Sequence, residues 1–305
     1  MTARGDVRVP GAGPTDPATP RAYSVVDVFS AVPTRGNPVA VVLDADGLTS
    51  DAMAQIARWT NLSETTFVLP PVTPDADYRL RIFTPGAELP FAGHPTLGSL
   101  HALLETGRVR PRDGRVVQDC GAGRIRIEVD AARAMARVAI PSATMSPLSA
   151  AEVAALEAAL GVALDPSVPP TVVDVGIRWT VARIADDAAL LAVQPDWSRL
   201  VTEDRARGVV GTTLFAPSGT ADAQVEVRTF APADGVNEDP VCGSGNGSVA
   251  ALLHHLGTVP TGGRYVARQG QCVGRDGRVT LEIDATGTIW VGGACVTTVV
   301  GTLRL

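Results

Sequence analysis

The sequence predicts an α+β protein made of two similar domains related by a pseudo-twofold axis. Three observations lead there. Short β-branched runs bounded by turn residues outnumber helical patterns; one stretch of the first half returns in the second; and 305 residues, 45% of them apolar, are enough to fill two cores.

The opening MTARGDVRVPGAGPTDPATP is rich in Pro, Gly and Thr and has no apolar segment, so residues 1–21 are expected to be a disordered tail rather than a leader. From residue 23, YSVVDVFS, PVAVVLD, TTFVLPP and YRLRIFT read as strands between Gly, Pro and Asp turns. Thr49 or Ser50 can cap a helix over DAMAQIARW, and Ser149 with Glu152 has the spacing of a capping box ahead of AALEAALG. Residues 132–172 turn Ala- and Pro-rich and are expected to carry the crossover between domains. The halves are therefore placed at 22–136, joined by a terminal strand near 293–305, and at 137–292.

RIFTPGAELPFAGHPTLGSLHALLETG (81–107) lies against VRTFAPADGVNEDPVCGSGNGSVAALLHHLG (227–257). Both run Arg-x-Phe-x-Pro, an acid-bearing loop, a Gly-rich turn and a short apolar helix closing at Gly. Two copies this far apart make paired domains with a cleft between them, not a solenoid. A helix start leaves backbone N–H groups without intrahelical partners and carries partial positive charge. The turns at Gly93 and His94, and at Gly243, Ser244 and Gly245, admit a ligand close to that backbone, so the pair suits a small anion such as a carboxylate. A single Gly-rich turn is ordinary helix capping; its duplication points to a site.

Composition narrows the chemistry. The net charge of −6 argues against a nucleic-acid partner. The complete absence of lysine removes Schiff-base and Walker-type phosphate chemistry. Cysteines 120, 242, 272 and 295 form no Cys-x-x-Cys pair, which disfavours a zinc ribbon or disulfide scaffold and suggests a reducing, cytoplasmic setting. No apolar run reaches the ~20 residues of a membrane span. His101, His254 and His255 do not converge with further ligands, so no metal is expected. Among the acids, Glu64 in NLSETTFVLPP has no partner in sequence; read alone it is more readily a turn or cap residue than a catalyst, but desolvation at a domain edge would suit it to proton transfer. Asp239 and Glu238 precede the second Gly turn and His94 sits within the first; each is equally readable as a turn or loop residue.

At these residues the chain resembles the PhzF-like phenazine-biosynthesis isomerases of the diaminopimelate epimerase superfamily. VDVFSAVPTRGNPVAVVLDADGLTSDAMAQIARWTNLSETTFVLPP, RIFTPGAELPFAGHPTLG, NEDPVCGSGNGSVAA, QGQCVGRDGRV and WVGG occur in order over nearly everything after residue 22. The resemblance implies two domains, each a curled, mostly antiparallel sheet around a central helix, a homodimer, and a cofactor-free acid/base site in the cleft of an enzyme of specialised-metabolite or antibiotic biosynthesis. It places the family's glutamate on Glu64, its histidine on His94, its aspartate on Asp239 and its serine on Ser244. It also implies a reaction in which the glutamate relays a proton between carbons of a dihydro-hydroxyanthranilate.

The chain departs from that pattern at Cys242, where the family commonly has Thr. VCGSG resembles the turns of two-thiol racemases in the same superfamily, whose thiols face each other across the substrate α-carbon. The opposite thiol would fall on Ala92, so half of that pair is missing. A Glu64-led isomerase is thus expected, with Cys242, Gly93, Gly243 and Gly245 lining the substrate. A Cys-dependent epimerase and a non-catalytic carboxylate binder are the alternatives.

Overall fold

The computed structural model describes residues 20–132 and 135–305. The tail expected over 1–21 lies outside them except for Pro20 and Arg21: strand β1 begins at Arg21, whose guanidinium donates to the Asp44 and Asp46 carbonyls.

The first half of the chain contributes β1 (Arg21–Val28), β2 (Asn37–Val42), α1 (Ser50–Thr60), β3 (Glu64–Leu69), β4 (Tyr78–Phe83), β5 (Glu88–Leu89), α2 (Gly93–Glu105), β6 (Arg115–Cys120), β7 (Gly123–Asp130) and β8 (Met135–Ala139). There follow β9 (Thr144–Pro147), α3 (Ala150–Leu160), β10 (Thr171–Asp174), β11 (Arg178–Arg183), α4 (Asp187–Ala192), α5 (Trp197–Arg207), β12 (Gly211–Pro217), β13 (Val225–Ala231), β14 (Val236–Asp239), α6 (Gly243–His255), β15 (Arg264–Gln269), β16 (Gly277–Ile283) and β17 (Ile289–Leu303). All four strands read from the N-terminal sequence are present. Thr49 caps α1, and Ser149 and Glu152 form the capping box of α3. Helices α4 and α5, absent from the sequence reading, are capped by Asp186 and Asp196; α5 is polar, with only Leu200, Asp204 and Arg207 buried.

The repeat extends well beyond the motif that reveals it. In the first half β2–β3 and β4–β6 pair in parallel while β1–β2, β3–β4, β4–β5, β6–β7 and β7–β8 are antiparallel. In the second, β11–β12 and β13–β15 are parallel and β10–β11, β12–β13, β13–β14, β15–β16 and β16–β17 antiparallel. The same connectivity therefore occurs twice, with α1 matched by α5 and α2 by α6. The halves share strands. Residues 290–294 of β17 pair with β8, and residues 295–303 pair with β1; the boundary expected at 136/137 falls inside β8.

Each half wraps a helix buried over most of its surface, with small or hydrogen-bonded polar residues such as Ser99, Asn246 and Ser248 among the apolar ones. Nine of the 13 residues of α2 and nine of the 13 of α6 are buried. Gly98 allows α2 to lie directly on β1 and β2, since a Cβ there would stand 2.4 Å from Val39 Cγ1 and 2.9 Å from Val28 Cγ2. The two helices touch each other, and their N-termini carry the motifs singled out in the sequence.

Candidate active site

Residues 88–96 and 238–246 align without a gap: Glu88 with Glu238, Leu89 with Asp239, Pro90 with Pro240, Ala92 with Cys242, Gly93 with Gly243 and His94 with Ser244. The scaffold beneath is duplicated as well. Arg81 and Arg228 form ion pairs with Glu88 and Glu238 at 2.7 and 2.8 Å, and each guanidinium lies over the Phe two residues on, Phe83 or Phe230, 5.1 and 4.9 Å from the ring centre. Ala92 and Cys242 are the N-caps of α2 and α6. Glu238 is thus a structural partner of Arg228, and the groups that differ between the repeats are Asp239, Cys242, Ser244 and His94.

Glu64 is the first residue of β3, paired in register with Val39 of β2. Its position in the second repeat, by the equivalent register of Trp179 with Gly211, is Gly211. A Cβ at Gly211 would fall 2.0 Å from the Phe230 carbonyl oxygen, so the second repeat has no room for a matching carboxylate. The pseudo-symmetry is broken in favour of one acid.

Glu64 Oε2 lies 3.4 Å from His94 Nε2, with side-chain exposures of 15% and 7%, and neither atom has a hydrogen-bond partner. Burial, reinforced by the Asp239 carboxylate, pushes the Glu64 carboxyl from its usual 4.5 up to about 8. Burial lowers His94 to about 3, against the opposing effect of its bond to the Pro38 backbone. Proline has no N–H, so the imidazole must donate to the Pro38 carbonyl, which leaves Nε2 as the unprotonated nitrogen facing Glu64. A neutral imidazole beside a protonated carboxyl is the resting state at neutral pH.

Asp239 enters from the other half. Burial raises it to about 6, Glu238 adding to the effect while the bond from the Val241 N–H and contact with the Cys242 thiol oppose it. Cys242 is 6% exposed; burial pushes its thiol well above the ordinary range, and Asp239 and, more weakly, Glu64 push the same way. The Gly245 N–H donates to its sulfur at 3.3 Å, so the thiol caps α6 as a neutral group. Ser244 Oγ accepts from Trp179 Nε1 at 3.1 Å and lies 3.6 Å from the Cys242 sulfur. All eight residues singled out in the sequence are thus at or beside the two helix starts. Among the described residues no cluster of three or more His, Cys, Asp or Glu is arranged to hold a metal.

Sequence reasoning missed Trp179, Asn37 and Gln269. Gln269 Oε1 accepts from the Cys242 N–H at 3.1 Å and from Asn246 Nδ2 at 2.7 Å. None of these pairs is close in sequence, so no local pattern announces them.

The profile of the family described as phenazine biosynthesis-like protein matches residues 26–301. The chain belongs to the PhzF family. It is 35% identical over 269 residues, 87% of its length and 91% of the other, to trans-2,3-dihydro-3-hydroxyanthranilate isomerase of Pseudomonas aeruginosa. It is 37% identical over 293 residues, 93% and 98% of the two chains, to antisense-enhancing sequence 1 of Schizosaccharomyces pombe. A Bacillus anthracis protein of the PhzF family superposes with a TM-score of 0.84 at 24% identity over 94% of this chain and 100% of that one. A hydroxyproline epimerase from Agrobacterium vitis shares the fold at a TM-score of 0.62 and 16% identity, over 94% and 93%. This PhzF protein is accordingly an enzyme of an isomerase and epimerase family with the diaminopimelate epimerase-like fold. No helix among its described residues is long and apolar enough to cross a membrane.

Proposed function

We propose that this PhzF protein is a cofactor-independent isomerase that moves a proton, and with it a double bond, in a small unsaturated cyclic amino acid or related carboxylate. The observation that carries the proposal is the single buried carboxyl at Glu64, raised to about 8 beside a neutral His94, with Gly211 at the corresponding place in the other repeat. One group whose pKa lies near neutrality can take a proton from one carbon and return it to another, whereas a racemase acting from two faces needs two. Similarity to the P. aeruginosa dihydro-hydroxyanthranilate isomerase supports a conjugated amino acid of that kind as substrate.

In this proposal the substrate carboxylate lies between the free N–H groups of Gly93 and His94 and those of Gly243 and Ser244. Glu64, once ionised, removes the proton. As charge develops on the substrate, the two helix starts and the Ser244 hydroxyl stabilise it; Trp179 already donates to Ser244 Oγ, so the serine hydrogen is free to point at the ligand. Asp239 accepts from the substrate's amine or hydroxyl, and neutral His94 lies beside Glu64 on the same side of the site. Cys242, kept neutral, lines the site. Assembly as a homodimer in the cytoplasm belongs to the same reading.

Incubation with trans-2,3-dihydro-3-hydroxyanthranilate and related conjugated amino acids tests it: turnover by the wild type that falls at least a hundredfold in Glu64→Gln supports the proposal. Retained turnover in a folded Glu64→Gln enzyme defeats it.

A further inference from the structure

Residues 37–39 at the start of β2 adjoin three groups of the site, Glu64, His94 and Asp239. Val39 pairs with Glu64, the Pro38 carbonyl receives the His94 N–H, and Asn37 reaches across 202 positions to the other half. Asn37 Nδ2 donates to Asp239 Oδ1 at 3.1 Å and to the Val241 carbonyl at 3.0 Å. The Val241 N–H donates to the same Oδ1 at 3.0 Å, and the Asp239 carbonyl accepts from Gln269 Nε2 at 3.0 Å. Both named bonds to the carboxylate therefore end on one oxygen, which fixes its orientation. Because both neighbours of Nδ2 are acceptors, the amide can be placed only one way round.

We infer that Asn37 is a positioning residue: by holding Asp239 Oδ1 from the opposite half, it orients the Asp239 carboxylate toward the reacting groups and favours its ionised form. This rests on the proton-relay reading above.

The surroundings fit this role better than a packing role. Asn37 is fully buried, yet its own carbonyl oxygen, Oδ1, has no hydrogen-bond partner. A buried amide with an unsatisfied acceptor is costly core filling, and an apolar side chain of the same volume would avoid that cost. What the amide supplies is its donors. The attachment of the preceding loop shows the same crossing of halves: the Asp276 N–H donates to the Arg35 carbonyl at 2.8 Å, the Arg278 N–H to the Phe29 carbonyl at 2.7 Å, and Arg275 to the Thr34 carbonyl at 3.0 Å. Gly36 is fixed by sterics, since a Cβ there would lie 2.3 Å from the Val28 carbonyl oxygen. Asn37 is therefore delivered to Asp239 by a tightly held segment.

The ionisable groups facing Asp239 are Glu64 on β3 with His94 of α2 behind it, the Cys242 thiol on α6, and Glu238 of β14, which is paired to Arg228 of β13. None of these supplies a positive charge directly to Asp239. Hydrogen-bond donors consequently carry the stabilisation of its ionised form, and loss of a charge-assisted bond of this kind corresponds to about one pH unit.

The test uses Asn37→Leu, which keeps the γ-branched shape and deletes the donor, and Asn37→Asp, which replaces the donor by an acceptor. Asp239 is followed by carbon-detected NMR titration of its carboxyl, with no substrate needed, and kcat/KM is measured against pH. Asn37→Leu is expected to raise the Asp239 midpoint by about one unit and Asn37→Asp by more, and the ratio of kcat/KM at pH 6 to that at pH 9 is expected to fall about fivefold for Asn37→Leu. An unchanged midpoint overturns the inference. So does a shifted midpoint with an unaltered kinetic profile, and so does failure of both variants to reach the wild-type near-ultraviolet circular dichroism, which would make Asn37 a packing residue. Failure of the isomerase reading itself appears separately, as absence of wild-type turnover, and the titration still decides whether Asn37 governs Asp239.

Discussion

Replacement of Glu64 by glutamine should change how stability depends on pH in a way no surface glutamate could. An unfolded chain releases this proton near 4.5, while the native protein retains it to about 8. Between those values the native state binds a proton that the unfolded state has lost, so Glu64 contributes most below 4.5 and its contribution declines as the pH rises through 8. The shift corresponds to about 5 kcal/mol across that interval. Asp239, raised from 3.8 to about 6, acts with the same sign at lower pH. His94, lowered from 6.5 to about 3, acts oppositely and costs stability as the pH falls below 6.5. Glutamine keeps the shape, can donate to His94 Nε2 and does not ionise. Glu64→Gln and wild type should therefore melt alike near pH 4 and diverge steadily from about pH 5 to 8, the variant being more stable by roughly 10 °C at pH 9 if each kcal/mol moves the melting temperature by about 2 °C. Differential scanning calorimetry at matched ionic strength makes the comparison. A difference in melting temperature that stays constant from pH 4 to 9 would refute a buried, protonated Glu64.

The wild-type kcat/KM should rise toward pH 8 as Glu64 loses its proton, and a profile already flat above pH 6 would place the base elsewhere. Cys242→Ser should retain turnover within about tenfold, because serine can still accept the Gly245 N–H and the thiol is held neutral; a loss of several orders of magnitude would restore the thiol epimerase. Gly211→Ala should cost more than about 3 kcal/mol by urea denaturation, since its Cβ would meet backbone rather than a movable side chain, and a neutral result would remove the steric basis for the asymmetry between repeats.

Much of the fold and half of the site could be read from the chain because the same physical solution was written twice. Arg-x-Phe, the Glu that pairs with the Arg, the following Pro and the Gly turn recur because each repeat must anchor the start of a buried helix. Local caps such as Ser149 with Glu152 are legible because capping is decided within four residues. The state of Glu64 is not legible in that way: its sequence neighbours are those of an ordinary turn, and its pKa is raised by burial in the folded chain and by a carboxylate 175 residues away, as the numbering of Glu64 and Asp239 shows. Asn37, Trp179 and Gln269 were missed for the same reason. Their hydrogen bonds join strands of one repeat to the helix start of the same or the opposite repeat, and only the folded chain brings those together. Ala92 was the informative absence. It occupies the N-cap of α2 as Cys242 occupies that of α6, so the missing second thiol is a feature of the three-dimensional site and not only of the alignment.

The relay of a single proton by Glu64 is tested most directly by turnover of a conjugated amino acid in D₂O, with the position of label read by NMR for wild type, Glu64→Gln and Cys242→Ser. The proton-relay account predicts label on a ring or vinylogous carbon together with a shift in ultraviolet absorbance, abolished by Glu64→Gln and preserved in Cys242→Ser. Label at the α-carbon with inversion of configuration, lost on replacing Cys242 and retained on replacing Glu64, would contradict it.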